Sequence, residues 1–190
     1  MTQAITVTDP SRNGLLKIAA GGVLTGILTS LLMPMIDKLS GLPGDFRIAL
    51  VGVPFAVLVF ILVRRLSANP WWAALTAAVV TMIAFVCAVN AAVLVDRQVI
   101  DAGKTLRNVL AGLTGGFIGA GVMALGGALL PAGPRTFMAW LPMLISGTVT
   151  GALLALDNAL GLDSTSVLFP LWQACVAVGL AQALRRTVLA

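Results

Sequence analysis

Six runs of apolar residues divide the chain: 14–36, 46–63, 71–95, 106–130, 136–158 and 165–184. Each is close to the twenty or so residues that a helix needs to cross the hydrocarbon core of a bilayer. Polar, Gly- and Pro-containing stretches separate them. They include Lys38 to Asp45, Arg64 to Pro70, Asp96 to Lys104, Pro131 to Arg135 and Ala159 to Ser164. A membrane β-barrel would show short segments of alternating polarity. These runs are continuously apolar, so the pattern predicts an all-α membrane protein with six transmembrane helices. Residues 1–13 form a short tail, and 14–190 a single transmembrane domain. The apolar stretch 18–36 is longer than a signal-peptide core and is read as a retained span.

Composition agrees with this pattern. Hydrophobic residues are 59% and charged residues 10% of the chain, and a soluble domain of this size could not hide so much apolar surface in one core. The net charge of +5 comes from Lys and Arg scattered at span ends, not gathered on a face, so nucleic acid is not an expected partner. The expected surroundings are a lipid bilayer, with self-association or another membrane subunit as partner. With six spans both termini share a side. That side holds Arg12, Lys17, Arg64, Arg65, Arg135, Arg185 and Arg186; the other holds Lys38, Arg47, Arg97, Lys104 and Arg107. The excess, and the two arginine pairs in it, place the termini in the cytoplasm by the positive-inside rule. The expected location is a bacterial inner (plasma) membrane.

A weak internal repeat runs through the chain. Residues 16–26, LKIAAGGVLTG, resemble 106–116, LRNVLAGLTGG, and Pro70-Trp71-Trp72-Ala73-Ala74 shares P-x-W-x-A with Pro170-Leu171-Trp172-Gln173-Ala174. The offset changes from 90 to 100 between the two matches. Two halves, 14–96 and 104–186, would each carry three spans. The second would then insert upside down, giving a 3+3 inverted-topology repeat of the kind many transporters use. Gly-rich helices and interfacial Trp also recur in membrane proteins for their own reasons.

Small residues at four-residue spacing let helix backbones approach where no hydrophobic effect drives association. Gly22 and Gly26, Gly112 and Gly116, Gly115 and Gly119, and Gly147 and Gly151 are such pairs. They point to a crossing of the first and fourth spans, or to an oligomer interface.

A polar group deep in a span must find a partner, so these residues are the candidates for a substrate path. Gln173 is the longest of them, about 12 Å into a span that starts at 165. Ser146, Thr148 and Thr150 lie near the middle of the fifth span, Thr29 in the first and Thr81 in the third. Ser and Thr can also bond their own helix carbonyls, and Gln173 can serve as an interhelical hydrogen bond. Asn90, Asn108, Asp157 and Asn158 fall near the non-cytoplasmic ends of their helices and would line a vestibule or simply meet interfacial water. Pro34, Pro54 and Pro142 would kink helices.

The chain contains no His, Tyr or Glu, which removes most general acid–base groups and common zinc ligands. No catalytic residue, metal site or cofactor is expected. Cys87 and Cys175 lie in apolar runs and read as buried free thiols.

The string NPWWAALTAAVV followed by KTLRNVLAGLTGGFIGA, within Asn69–Ala120, resembles the membrane domains of fusaric-acid-resistance and aromatic-acid exporters. The resemblance implies transport. A channel or transporter subunit for a small solute is therefore the expected function. A non-catalytic membrane subunit or anchor is the alternative, and an intramembrane enzyme a distant third. A continuous polar cavity reaching mid-membrane would separate the first two.

Overall fold

The computed structural model describes residues 12–38, 41–162 and 166–186. Residues 1–11, 39–40, 163–165 and 187–190 lie outside the described residues, as do the side chains of Arg12 and Arg186. Every regular element described is helical: α1 (Arg12–Asp37), α2 (Gly44–Val51), α3 (Val53–Leu66), α4 (Trp71–Gln98), α5 (Lys104–Ala128), α6 (Phe137–Gly151), α7 (Leu154–Leu160) and α8 (Leu168–Arg186). Among the described residues five helical spans are long and apolar enough to cross a membrane, with α6 and α7 counted together. The bent pair α2–α3 makes a sixth if taken as one span.

The six apolar runs thus become six helical segments, and two of them are interrupted. Between α2 and α3 the axis turns by 50°. Pro54 has no N–H to return to Leu50, and its ring crowds the preceding turn, so an α-helix cannot run straight through this point. Gly52 closes the end of α2 instead, donating its N–H to Ala49 O at 3.1 Å. Between α6 and α7 one tight turn replaces the α-helical pattern, with Ala152 N–H on Val149 O and Leu153 N–H on Thr150 O. Pro34 and Pro142 lie inside α1 and α6.

Neighbours in sequence are neighbours in space. The segments α1, α2–α3, α4, α5, α6–α7 and α8 form a ring in chain order, and α8 closes it against α1. The helices that glycines bring together run antiparallel. Gly22 and Gly26 of α1 face Ala174 and Pro170 of α8, while Gly112 and Gly116 of α5 face Gly151 and Gly147 of α6. The expected crossing of the first and fourth spans is not what these glycines build. The closeness they permit is real, but each pair meets an adjacent helix of the ring, α8 for the pair on α1 and α6 for the pair on α5. A Cβ on Gly26 would stand 2.3 Å from Pro170 Cα, and one on Gly112 would stand 2.2 Å from Gly151 O. Gly115 and Gly119 lie against Ala88 of α4. The glycine faces expected to be open to an oligomer are occupied within the chain.

The interior is largely apolar. Phe55, Val59 and Val63 of α3, Ala73, Ala84 and Phe85 of α4, Met143 of α6, and Val176, Leu180 and Leu184 of α8 belong to one core cluster. Outward stripes are equally apolar: Trp71, Leu75, Val79 and Ile83 recur every four residues along α4, and all are exposed. Apolar inside and apolar outside is the arrangement a lipid solvent permits. Trp72 lies half exposed at the start of α4, whereas Trp172 is 7% exposed inside the bundle. The two tryptophans of the P-x-W-x-A match therefore occupy different environments.

Candidate functional site

Two features near one end of the bundle stand apart from ordinary packing. The first is a polar node at the break between α2 and α3. Gln173 is fully buried, and its Nε2 donates to Thr29 Oγ1 at 2.9 Å. Thr29, also fully buried, donates in turn to Val51 O at 3.4 Å. Val51 is the last residue of α2, where the interrupted helix leaves a carbonyl for another donor to satisfy. One hydrogen-bonded chain therefore ties α8, α1 and the broken span together. Gly22 and Gly26 make it possible, because they bring the α1 backbone against residues 169–174 of α8. The Gln173 Oε1 atom is buried and has no hydrogen-bond partner among the described residues. α8 begins at Leu168, so Gln173 lies five residues, or about 8 Å, along it, shallower than a start at 165 implied.

The second feature is a cavity of about 270 Å³ between α4, α5, α6–α7 and α8. Its walls include Phe85, Ala88, Val89 and Ala92 of α4, Gly112, Gly115 and Gly116 of α5, Gly151 and Leu154 at the second break, and Leu168, Phe169 and Trp172 of α8. No polar side chain other than the Trp172 indole lines it, and the surface it presents is wholly apolar. Three aromatic rings brace one wall. Phe85 stacks on Phe169 at 6.3 Å and meets Trp172 edge-to-face at 5.9 Å. Trp172 meets Phe55 at the same distance, which links the cavity wall to α3.

The remaining path candidates are not gathered into a polar channel. Ser146 bonds Met143 O, Thr148 bonds Leu144 O and Thr150 bonds Ser146 O, all on their own helix. Thr81 bonds Ala77 O and lines a void of about 10 Å³, which is at the lower limit for one water molecule. Gln173 finds its partner on α1, not among the hydroxyls of α6.

The vestibule candidates do share one end of the bundle. Asn90 is exposed and donates to Asp45 Oδ1 and to Val86 O. Asn158, also exposed, bonds Leu154 O. Asn108 is half-buried on the first turns of α5. Asp157 is nearly buried and holds the fold together locally. Its carboxylate accepts from the Ser166 hydroxyl and from the N–H groups of Val167 and Leu168. It thereby caps the first turn of α8, where backbone donors lack helical partners and negative charge is favoured. Arg107 grips Asp96 with two nitrogens, Nε and Nη2, at 2.8–3.0 Å, so it is held at this end by an ion pair.

Sequence reasoning missed the cavity. Its signal was a set of small residues, Ala88 and Ala92 facing Gly115, with Gly112 and Gly116 facing Gly151, set beside three aromatics on two helices. It also missed Asn69, 2% exposed, which accepts from Ala132 N–H at 2.9 Å and donates to Ser67. Asn69 thus joins two loops at the opposite end. Among the described residues no group of three His, Cys, Asp or Glu side chains forms that could hold a metal ion. Comparison with protein-family models, curated proteins and solved structures finds no match.

Proposed function

We propose that the chain is a non-catalytic channel or transporter subunit for a small solute, built from two inverted halves of three spans. The observation that carries this reading is a break in the second span of each half, a 50° bend at Gly52 and a single tight turn at Ala152–Leu153 in an otherwise continuous span. Interrupted spans in corresponding positions of two halves mark binding sites in transporters, because they free backbone groups within the membrane. At the first interruption stand a freed carbonyl and a buried amide oxygen that lacks a partner among the described residues. The packing also supports two halves. Exchanging them maps the α1–α8 contact onto α5–α4, and both are among the most extensive in the bundle, but the exchange does not extend to the matched glycines, since Gly22 and Gly26 face α8 while Gly112 and Gly116 face α6. In this reading both termini face the cytoplasm, and Gln173 and Thr29 contribute polar groups to the path.

A second reading, a membrane subunit or anchor acting through packing alone, is favoured by the complete burial of Gln173 and by the apolar cavity. Gln173→Leu separates the two. The transporter reading expects solute flux in proteoliposomes to fall while the protein still assembles and melts normally. The anchor reading expects a loss of stability of about 1 kcal/mol, the usual worth of a hydrogen bond between membrane helices, with no flux effect beyond that loss.

A further inference from the structure

We propose that the cavity bounded by α4, α5, α6–α7 and α8 is a binding site for the hydrocarbon chain of a membrane lipid. The cavity alone supports this site, under either reading of the bundle's role.

The cavity is a large recess, partly open to the outside of the bundle. An engineered void of about 150 Å³ lined by aliphatic and aromatic side chains holds benzene. At about 270 Å³ this cavity is nearly twice that size. Left empty, its walls would forgo the dispersion contacts that a filled interior makes. Lining chemistry decides the class of occupant. A surface without polar atoms offers nothing to replace the hydrogen bonds that a sugar, amino acid or ion gives up on leaving water. Hydrocarbon loses nothing on entering.

Position then selects among apolar molecules. The walls belong to helices with the length and apolarity of membrane spans, so the adjoining medium supplies acyl chains in great excess. Val93, one of the lining residues, is exposed on the outside of the bundle, so the site reaches the surface that lipid covers. Polar groups gather beyond one end. Asp96 lies one turn past Ala92 and Val93 on α4, and it is paired with Arg107. Asn108 lies one turn before Gly112. Asp157 and Ser166 sit beside the start of α8, close in sequence to Leu154 and Leu168. An apolar slot with charged and amide groups beyond one end matches a molecule with a chain and a headgroup.

Bromine on lipid chains quenches indole fluorescence on contact, and Trp172 reports from the cavity wall. In vesicles of phosphatidylcholine brominated at mid-chain, a variant that retains only Trp172 (Trp71→Phe, Trp72→Phe, Trp140→Phe) should be quenched. The extent should approach that of a variant retaining only the half-exposed Trp72. Adding Val89→Phe, which fills the slot, should remove most of the Trp172 quenching and leave that of Trp72 unchanged. An unquenched Trp172, or quenching indifferent to Val89→Phe, overturns the proposal. Native mass spectrometry of the unsubstituted chain gives a readout independent of the tryptophan variants. It should find one retained phosphatidylcholine, lost on Val89→Phe. A bare protein, or a retained mass matching no supplied lipid, overturns the assignment to a lipid chain.

Discussion

The glycine contacts make a prediction that separates close packing from generic helix chemistry. In Gly116→Ala the added methyl would stand 2.3 Å from Gly147 O and 3.1 Å from Gly151 Cα. Both neighbours are backbone, so no side-chain rotation relieves the overlap, and α5 and α6 must move apart. Gly121, five residues further along α5, meets nothing within 4 Å. Both substitutions carry the same gain in helix propensity, about 1 kcal/mol for replacing an interior glycine. That gain cancels in the comparison. What remains is the overpacking penalty, about 1–3 kcal/mol, borne by Gly116→Ala alone. For a chain of this size each kcal/mol moves Tm by about 2–4 °C. Melting both variants in one detergent should therefore place Gly116→Ala several degrees below Gly121→Ala, with Gly121→Ala at or above the parent. Gly116→Leu should disrupt the bundle outright. Equal melting of the two alanine variants would refute the reasoning, because it would mean that α5 and α6 do not meet backbone to backbone.

Three further outcomes follow from named contacts. Asp157→Ala removes the acceptor from Ser166 and from two N–H groups at the start of α8; stability should fall by about 1–2 kcal/mol, the usual worth of an N-terminal cap, measurable by thermal melting. Asn69→Ala removes the acceptor of the half-buried Ala132 N–H and should cost about 1 kcal/mol, the usual net worth of a hydrogen bond, read the same way, whereas Asn90→Ala, at an exposed site, should be near neutral. Cysteines placed at Ser67 and Ala102 should label from opposite sides of intact cells, position 102 from outside; labelling of both from one side would remove the six-span topology.

The architecture was legible because the bilayer imposes one requirement on sequence: length and apolarity of each run. All six runs became helical segments with boundaries shifted by a few residues. Pro54 marked the sharper interruption, whereas Pro34 and Pro142, expected to kink their helices as well, lie inside α1 and α6 without breaking them. Gln173 was legible as a buried group needing a partner, for the same reason of unavoidable chemistry. Which partner it would find was not. Thr29 and the hydroxyls of α6 are equivalent in the sequence, and only the ring order, with α8 closing on α1, decides between them. The glycine pairs failed in the same way. Gly22 and Gly26 announce a close crossing, but the motif is silent about which helix comes near. The cavity was least legible, because an empty space is defined by residues of four separate segments that are each individually ordinary.

The two features of the site are not independent, because α8 carries both. Phe169 and Trp172 face the cavity, while Gln173, the next residue, holds α1 through Thr29. Residues 172 and 173 are about 100° apart around a helix axis, so one turn of α8 presents an aromatic wall to one side and an amide to the other. Phe55, three residues beyond the α2–α3 break, packs on that same Trp172 ring. A change in the bend at Gly52 would move Val51 O and Phe55 together, and hence both the polar node and the cavity wall. The solute path proposed at the node and the lipid chain proposed in the cavity would then be coupled through this single turn. Coupling of this kind is reciprocal in binding free energy, so solute bound at the node and lipid bound in the cavity would change each other's affinity by the same factor. If Gln173→Leu alters flux, it should also alter lipid retention in the cavity, and Val89→Phe should alter flux although it touches no residue of the polar node. Substitutions that each affect only their own site would show that α8 holds the two features rigidly apart.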